Sequence, residues 1–318
     1  VTLGACIHAF DWDRSDYDLL AMGSLAGHIL ECGTQATGGN FTDWEQVSDM
    51  ATMGYPIAEV SADGSFVVTK PPHTGGLVNA GTVSEQMLYE IGDPQAYVLP
   101  AVTCDFSTAT IEEIGKHRVR VSGAMGRTAP DTYKVSCTYA DAFRGGTYLS
   151  YYGLEADKKA RVLGEAIFQA ARNQFEAAGL PDFIETSVEV MGAESQFGDF
   201  STIDSSREVV MKLAAKHSLQ AGIGLMLKET VGLALAAPPG LSGFAGSRPA
   251  PSPVVRLFSF AIAKAELRVQ IALDGHTEHC DEAHGKVLNI SAISRPEYPT
   301  TGAIKGAAEV PLIKLAWG

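Results

Sequence analysis

Residues 70–94, KPPHTGGLVNAGTVSEQMLYEIGDP, combine a stiff entry, a glycine-rich loop and a short helix. The two prolines restrict the backbone, and Gly75-Gly76 leaves the neighbouring peptide groups uncovered. Thr82 or Ser84 is the predicted N-cap of the helix, which is expected to end at Gly92. Such an arrangement suits the binding of an anion or a developing oxyanion. The alternative is a tight strand-to-helix connection that binds no ligand.

A second loop, residues 31–41 with the sequence ECGTQATGGNF, repeats the Thr-Gly-Gly motif of the first loop. It follows an apolar run with helical spacing over residues 19–30. Two such loops predict a single pocket lined from both sides, although glycine pairs are also common in ordinary turns. The predicted substrate-binding residues are Gln35, Gly38, Gly39, Asn40, Lys70, Thr74, Gly75, Gly76 and Thr82.

Two glutamates beside these loops are the candidates for proton transfer. Glu85 lies in the first turn of the predicted helix, where its charge either complements the helix dipole or serves as a general acid or base. Glu31 ends the preceding helix, next to Cys32. That cysteine is either a nucleophile or a buried structural thiol, and a helix C-terminus does not favour a thiolate.

The sequence predicts no metal site and contains no nucleotide-binding motif. A cluster with the spacing H-x-x-H-C-x-x-x-H over residues 276–284 has metal-ligand residue types, but an exposed polar loop is the preferred interpretation. There is no P-loop, and no G-x-G-x-x-G follows a strand. Coenzyme A is the one candidate cofactor, as the carrier of a substrate acyl group whose phosphates lysine or arginine would contact.

Composition and charge narrow the classes of partner. The chain has 318 residues and a formal net charge of -13, which argues against a nucleic-acid partner or an anionic membrane surface. No apolar stretch reaches the length of a membrane span. The five scattered cysteines fit reduced intracellular thiols better than a disulfide framework. We therefore expect a cytoplasmic homo-oligomer whose partner is a small-molecule acyl substrate.

The apolar patterns predict an α/β or α+β fold, with a mixed sheet, flanking helices and a second βαββα-like lobe. Residues 2–10 have β character, and residues 57–69 are typical of a hairpin with an Asp-Gly turn. A long helix is predicted from residue 157 to residue 178. The predicted domains are a Gly-loop-bearing α/β region at 1–144, a second α+β lobe at 145–240, and a Pro/Gly-rich linker that leads into a C-terminal domain at 241–318.

Several ordered motifs carry a resemblance to a known family. They are residues 27–41 (GHILECGTQATGGNF), 54–60 (GYPIAEV), the whole of 70–94, Asp105-Phe106 and residues 118–123 (RVRVSG). These motifs resemble the acyclic terpene utilisation protein family, AtuA. The resemblance implies a place in the catabolism of citronellol- and geraniol-like compounds, without a settled reaction. It also implies that a segment precedes Val1, and that residues 310–318 open a small C-terminal domain.

Together these features predict a metabolic enzyme that acts on a branched, hydrophobic acyl or acyl-CoA substrate by lyase or hydratase-type chemistry. In this hypothesis the glycine amides of the two loops stabilise an enolate or oxyanion, and Glu85 or Glu31 moves the proton. The alternative hypothesis is a non-catalytic binding or scaffold subunit of a catabolic complex.

Overall fold

The computed structural model describes residues 1–243, 249–267, 269–273, 276–280 and 312–316, with side chains described as far as residue 267. The chain divides into two compact units, Val1–Tyr133 with Ala261–Gly318, and Lys134–Phe260. Antiparallel sheets flanked by helices build both units, so the predicted mixed α and β fold is confirmed. The domain boundary predicted at residue 144 lies within the strand Thr132–Tyr152.

The first unit is organised around a nearly buried helix. Its described helices are α1 (Thr2–Phe10), α2 (Tyr17–Glu31) and α3 (Ala80–Leu88). Asp16 caps α2 by accepting a hydrogen bond from the Leu19 N–H, at 3.3 Å. Leu25 and Ile29 of this helix are fully buried in the core of the unit. Removing their apolar surface from water contributes about 1.5–3 kcal/mol for each side chain.

Helix α1 corrects the prediction of a strand at residues 2–10. Leu3, Cys6, Ile7 and Phe10 recur at helical spacing, and all four pack into the core of the first unit. Helix α2 accepts α1 closely because it carries glycine at the contact: a Cβ atom on Gly23 would lie 2.9 Å from the Leu3 side chain. The contact with α2 therefore decides the local structure, whereas β propensity alone favours the wrong element.

Two sheets of the first unit are built from β1 (Ile57–Ser61), β2 (Phe66–Thr69), β3 (Tyr97–Val98), β4 (Thr103–Asp105), β5 (Thr110–Gly115), β6 (Arg118–Ser122), β7 (Met125–Arg127) and β15 (Leu312–Ala316). One is a five-stranded antiparallel sheet in the order β15-β1-β2-β6-β5, and the other is a three-stranded sheet in the order β3-β4-β7. The predicted hairpin is confirmed by β1 and β2, and Gly64 takes the positive φ of its turn, 83°.

The second unit follows the predicted β-α-β-β-α order, with two further strands after it. Its elements are β8 (Thr132–Tyr152), α4 (Ala156–Ala178), β9 (Glu185–Met191), β10 (Glu208–His217), α5 (Gln220–Gly232), β11 (Leu241–Gly243) and β12 (Ser252–Ala263). Strand β8 pairs with both β10 and β12. The odd-numbered residues of β10 are buried among the residues of α4 and α5, whereas its even-numbered residues are only partly buried or exposed.

A further hairpin joins β13 (Val269–Leu273) to β14 (His276–Cys280). Within the described residues, no helix combines the length and the apolar composition needed to cross a bilayer.

Candidate functional site

The structure brings the two Thr-Gly-Gly loops into contact. The Leu77 N–H donates to the Thr37 carbonyl oxygen at 2.8 Å. Glu85 accepts a hydrogen bond from the Thr42 N–H, which lies 3.2 Å from its nearer carboxylate oxygen. Two loops whose Thr-Gly-Gly motifs begin at Thr37 and Thr74 are thus joined by a backbone bond and by a charged side chain.

The glycine amides of both loops are used within the protein. Gly38 and Gly39 donate to the carbonyl groups of their own 3-10 turn, whereas Gly75 and Gly76 donate to the segment 48–52. The bonds are Gly38 N to Gln35 O at 3.3 Å, Gly39 N to Thr34 O at 2.8 Å, Gly75 N to Thr52 O at 2.9 Å and Gly76 N to Ser48 O at 2.7 Å. None of these four amides is left to bind an oxyanion in this conformation.

Close packing explains the glycines at the loop contact. A Cβ atom on Gly76 would lie 2.6 Å from the Thr37 carbonyl oxygen, and one on Gly75 would overlap the Asp49 carbonyl oxygen. Gly76 also has a φ of 90°, which side chains disfavour. Both residues therefore allow two backbone segments to approach each other, and this requirement needs no ligand.

Helix α3 is capped from within the chain, which corrects the predicted N-cap at Thr82 or Ser84. Asn79 is the N-cap: its Oδ1 accepts from the Thr82 N–H at 2.8 Å, and the Thr82 hydroxyl accepts from the Asn79 N–H at 3.1 Å. The Ala80 N–H donates to Glu113 Oε1 at 2.9 Å. A carboxylate of the protein thus already lies where the sequence indicated an anion.

Lys70 and Thr74 stabilise their own turn. The Lys70 ammonium donates to the Thr74 carbonyl oxygen at 2.6 Å, and the Thr74 hydroxyl donates to the Pro71 carbonyl oxygen at 2.7 Å. Burial, with the charge of Lys116 as the second cause, lowers the pKa of Lys70. Gln35 is half-buried in the other loop, and Asn40 is exposed there with a φ of 56°.

Glu31 lies elsewhere, on a cleft along α2. This α2 cleft has a volume of about 670 Å³ and lies between the second half of α2, the start of the chain and residues 97–101. Most of its lining is aliphatic, including Leu3, Leu30 and Leu99. Its polar side chains are Thr2, Ser24, His28, Glu31 and Tyr97. A mostly apolar wall with few polar groups is typical of a small-molecule site.

His28 is the most unusual residue of the α2 cleft. Its side chain is only 5% exposed, and neither ring nitrogen has a hydrogen-bond partner among the described residues. Nδ1 lies 3.7 Å from Glu31 Oε2, which is too long for a hydrogen bond. Buried polar atoms are normally bonded, so a buried imidazole with no partner among the described residues makes His28 a candidate for contact with a water or a ligand.

Tyr97 adds a protonated hydroxyl to the α2 cleft. Burial is the main cause that raises the pKa of its phenol, and the charge of Glu31 raises it further. The ring centroids of Tyr97 and His28 are 6.0 Å apart. At neutral pH the phenol therefore keeps its proton and can donate it in a hydrogen bond to a carbonyl oxygen.

The structure thus separates the predicted site residues into two places. The glycines, Lys70, Thr74, Thr82 and Glu85 belong to the loop contact, whereas Glu31 lies on the α2 cleft. Sequence reasoning did not single out His28. The available signal was its spacing of three residues from Glu31, which places both side chains on one face of a helix.

Metal ligands are not grouped in the described part of the chain. There, no three His, Cys, Asp or Glu side chains lie close enough together to hold a metal ion. The cluster noted at residues 276–284 lies outside the residues whose side chains are described.

Of the comparisons with known proteins, only the one with family models gives a match. No curated protein and no solved structure shows significant similarity to it. The family model described as "Acyclic terpene utilisation family protein AtuA" matches residues 1–273, which include both loops, the α2 cleft and the whole second unit. The chain belongs to the acyclic terpene utilisation family AtuA.

Proposed function

We propose that the protein is an enzyme of acyclic terpene utilisation that binds a branched, hydrophobic acyl substrate in the α2 cleft. The observation that carries this proposal is the buried His28, whose two ring nitrogens have no hydrogen-bond partner among the described residues. Family membership supports the substrate class, and the aliphatic lining supports a hydrophobic chain. A coenzyme A thioester is the proposed form of the substrate, with the acyl part in the cleft.

The size and lining of the α2 cleft fit such an acyl group. Its volume of about 670 Å³ falls within the range of roughly 300–1,000 Å³ that is usual for ligand pockets. Leu3, Leu30 and Leu99 offer apolar surface to a methyl-branched chain. Burying that chain removes apolar area from water, which contributes about 25 cal/mol for each Å².

The proposed chemistry is the addition of water to a double bond conjugated with the acyl carbonyl, or the reverse elimination. His28 removes a proton from water as the oxygen bonds to the β-carbon, and the electron pair of the double bond moves toward the carbonyl oxygen. Tyr97 donates a hydrogen bond to that oxygen. The proton then goes to the α-carbon, so that the protein returns to its starting state.

Glu31 is the positioning partner of His28 in this proposal. The carboxylate lies one helical turn beyond the imidazole, and a small rotation would shorten the 3.7 Å separation between Oε2 and Nδ1 to a hydrogen bond. Such a bond would fix the tautomer that leaves Nε2 as the base. The two Thr-Gly-Gly loops and Glu85 have a supporting role, because their polar groups are engaged with one another.

Matched glutamine variants test the assignment. We expect His28→Gln to lower kcat on an α,β-unsaturated, methyl-branched acyl-CoA by about 10²–10⁴-fold, the usual contribution of a general base. Glu31→Gln should lower it less, and the control Glu45→Gln, at an exposed position, should leave it unchanged. Turnover follows from the loss of the conjugated thioester's ultraviolet absorbance, and binding is measured separately by calorimetry.

The outcome of these two measurements decides the proposal. Retained binding with lost turnover in His28→Gln supports a catalytic imidazole. Full turnover in that variant would remove His28 from the mechanism. If Glu85→Gln instead abolishes turnover and leaves folding intact, the proton transfer belongs to the loop contact.

A binding or scaffold subunit is the second candidate, and an exposed strand favours it. Phe258 and Phe260 of β12 are 59% and 43% exposed, and their ring centroids lie 6.0 Å apart. Neighbouring apolar side chains at a surface are typical of a protein interface, including one between copies of a homo-oligomer. Under this alternative the wild-type protein binds the acyl-CoA without turning it over, and light scattering shows an assembly that Phe258→Ser weakens.

A further inference from the structure

The second unit contains a basic pocket on the face of its sheet that lies away from α4 and α5. Its volume is about 510 Å³, and Arg144, Lys216 and Arg256 are among its lining residues. They come from three neighbouring strands, since Arg144 of β8 lies opposite Lys216 of β10 and Arg256 belongs to β12. Three cationic side chains around one cavity stand out in a chain whose formal net charge is -13.

Asp141 holds two of these cations in place. Its Oδ2 accepts from Lys216 Nζ and from Arg256 Nε, both at 2.7 Å. Hydrogen bonding from Lys216, together with the charges of Lys216 and Arg256, lowers the pKa of Asp141, so the carboxylate stays ionised. Because Arg256 uses Nε for this pair, its two terminal nitrogens remain available to a second acceptor.

Arg144 differs from the other two cations of the pocket because it forms no ion pair with a described carboxylate. Among the described residues it has no ion-pair partner, whereas Lys216 also lies 3.8 Å from Glu185. The pocket therefore has three positive charges against the negative charges of Asp141 and Glu185. An exposed guanidinium with five donors, beside two cations that are already positioned, favours an anionic acceptor.

Two small residues form the floor of the basic pocket. Gly146 lies opposite Ala214 in the ladder between β8 and β10, and both residues line the cavity. A Cβ atom on Gly146 would overlap the Leu213 carbonyl oxygen, so this position does not readily accept a side chain. Two small residues between the charged ones leave room for a compact carbon skeleton beside the cations.

We propose that the basic pocket binds a small organic anion, with its carboxylate or phosphate group at Arg144, Lys216 and Arg256 and its carbon skeleton on the Gly146–Ala214 floor. This site is additional to the α2 cleft and shares no residue with it. It gives the second unit a binding role of its own, because the proposed acyl chemistry uses residues of the first unit alone.

Three probes identify the chemistry that the pocket selects. Adenosine 3′,5′-bisphosphate offers phosphate on an organic skeleton, 3-methylbutanoate offers a carboxylate on a branched one, and inorganic phosphate offers the anion alone. We expect calorimetry on the whole chain to show binding of at least one organic probe, tighter than that of inorganic phosphate. Whichever of the two organic probes binds more tightly shows whether the pocket selects a phosphate or a carboxylate.

Two variants of the pocket and one control separate a built site from general surface charge. Arg144→Gln should weaken binding at least tenfold, and Ala214→Leu should abolish it without any change of charge, because the larger side chain covers the floor. Arg172→Gln is the matched control, since Arg172 is a partly exposed arginine of the same unit that pairs with Asp182, and neither residue lines the pocket. It should change the affinity by less than about twofold, as expected for a charge screened at a distance.

Each possible result decides for or against the basic pocket. Failure of every probe to bind the wild-type chain would refute the proposal, as would equal weakening by Arg172→Gln and Arg144→Gln. Unchanged binding in Ala214→Leu would place the anion outside the cavity. Thermal unfolding of each variant shows whether it is folded, and Arg144→Lys, which keeps the charge but loses the planar fork, gives a second measure at the same position.

Discussion

Replacing Gly76 with alanine tests whether the paired glycines serve packing between the two loops. The new Cβ atom would lie 2.6 Å from the Thr37 carbonyl oxygen and 3.0 Å from Met53 Cγ. Holding alanine at a φ near 90° costs about 1–3 kcal/mol, and overpacking adds about 1–3 kcal/mol. We therefore expect Gly76→Ala to lower the free energy of unfolding of the first unit by about 2–6 kcal/mol.

Tryptophan fluorescence reports on this unit selectively. The three tryptophans lie at positions 12, 44 and 317, so the second unit, Lys134–Phe260, contains none, and Trp12 and Trp44 belong to the first unit. Trp12 is 6% exposed and donates through Nε1 to the Ala62 carbonyl oxygen, so its emission should change when the unit unfolds. Urea titration at constant slope then converts a shift of the midpoint into a change in the free energy of unfolding.

Gly92→Ala is the matched control. A Cβ atom on Gly92 meets no atom within 4 Å, and its φ is not positive. This substitution should change the free energy of unfolding by less than about 1 kcal/mol, and toward higher stability because alanine restricts the unfolded chain. If Gly76→Ala were as stable as Gly92→Ala, the close approach of Gly76 to Thr37 would be wrong, and a ligand role for the bare backbone would regain support.

Two further predictions concern the first unit and the cysteines. Glu85→Ala removes the acceptor that joins α3 to the other loop and should cost about 1–2 kcal/mol in the same urea titration; an unchanged midpoint would mean that this bond does not form in solution. Burial raises the pKa of the Cys104 thiol to about 12, whereas Cys137 is exposed. Iodoacetamide at pH 8 should therefore modify Cys137 before Cys104, as read from tryptic peptides by mass spectrometry. The stability gained by burying the neutral Cys104 thiol is fully present below the ordinary thiol pKa of 9.0 and is lost as the pH rises through the raised pKa of about 12. Early alkylation of Cys104 at pH 8 would contradict its burial.

The elements that were predicted correctly have apolar patterns and turn residues that lie within their own stretch of sequence. Residues 57–69 contain two short apolar strands and an Asp-Gly turn, and the structure forms that hairpin. Helix α4 has apolar residues at helical spacing, and Gly179 ends it with a φ of 65°. Helix α1 was assigned wrongly because its local β character competes with packing on Gly23 of α2, a contact that no window of residues 2–10 contains.

The candidate site was predictable only in part, for a similar reason. The repeated Thr-Gly-Gly motif suggested that the two loops meet, and the Leu77 to Thr37 hydrogen bond brings them together. The acceptors of the Gly75 and Gly76 amides belong to residues 48–52, which carry no motif that pairs them with glycine. The sequence therefore indicated accessible peptide N–H groups at the loops. It did not indicate that carbonyl groups of residues 48–52 already accept their hydrogen bonds.

The loop contact and the α2 cleft are joined by one buried side chain. Gln86, on α3, is fully buried, and its Nε2 donates to the His28 carbonyl oxygen at 3.0 Å. The Asn79 cap and the bond from Glu85 to the other loop fix α3, so Gln86 is held in turn against the last turns of α2. In the proposed mechanism the glycine loops act through position, because they hold the helix whose residue His28 lines the cleft.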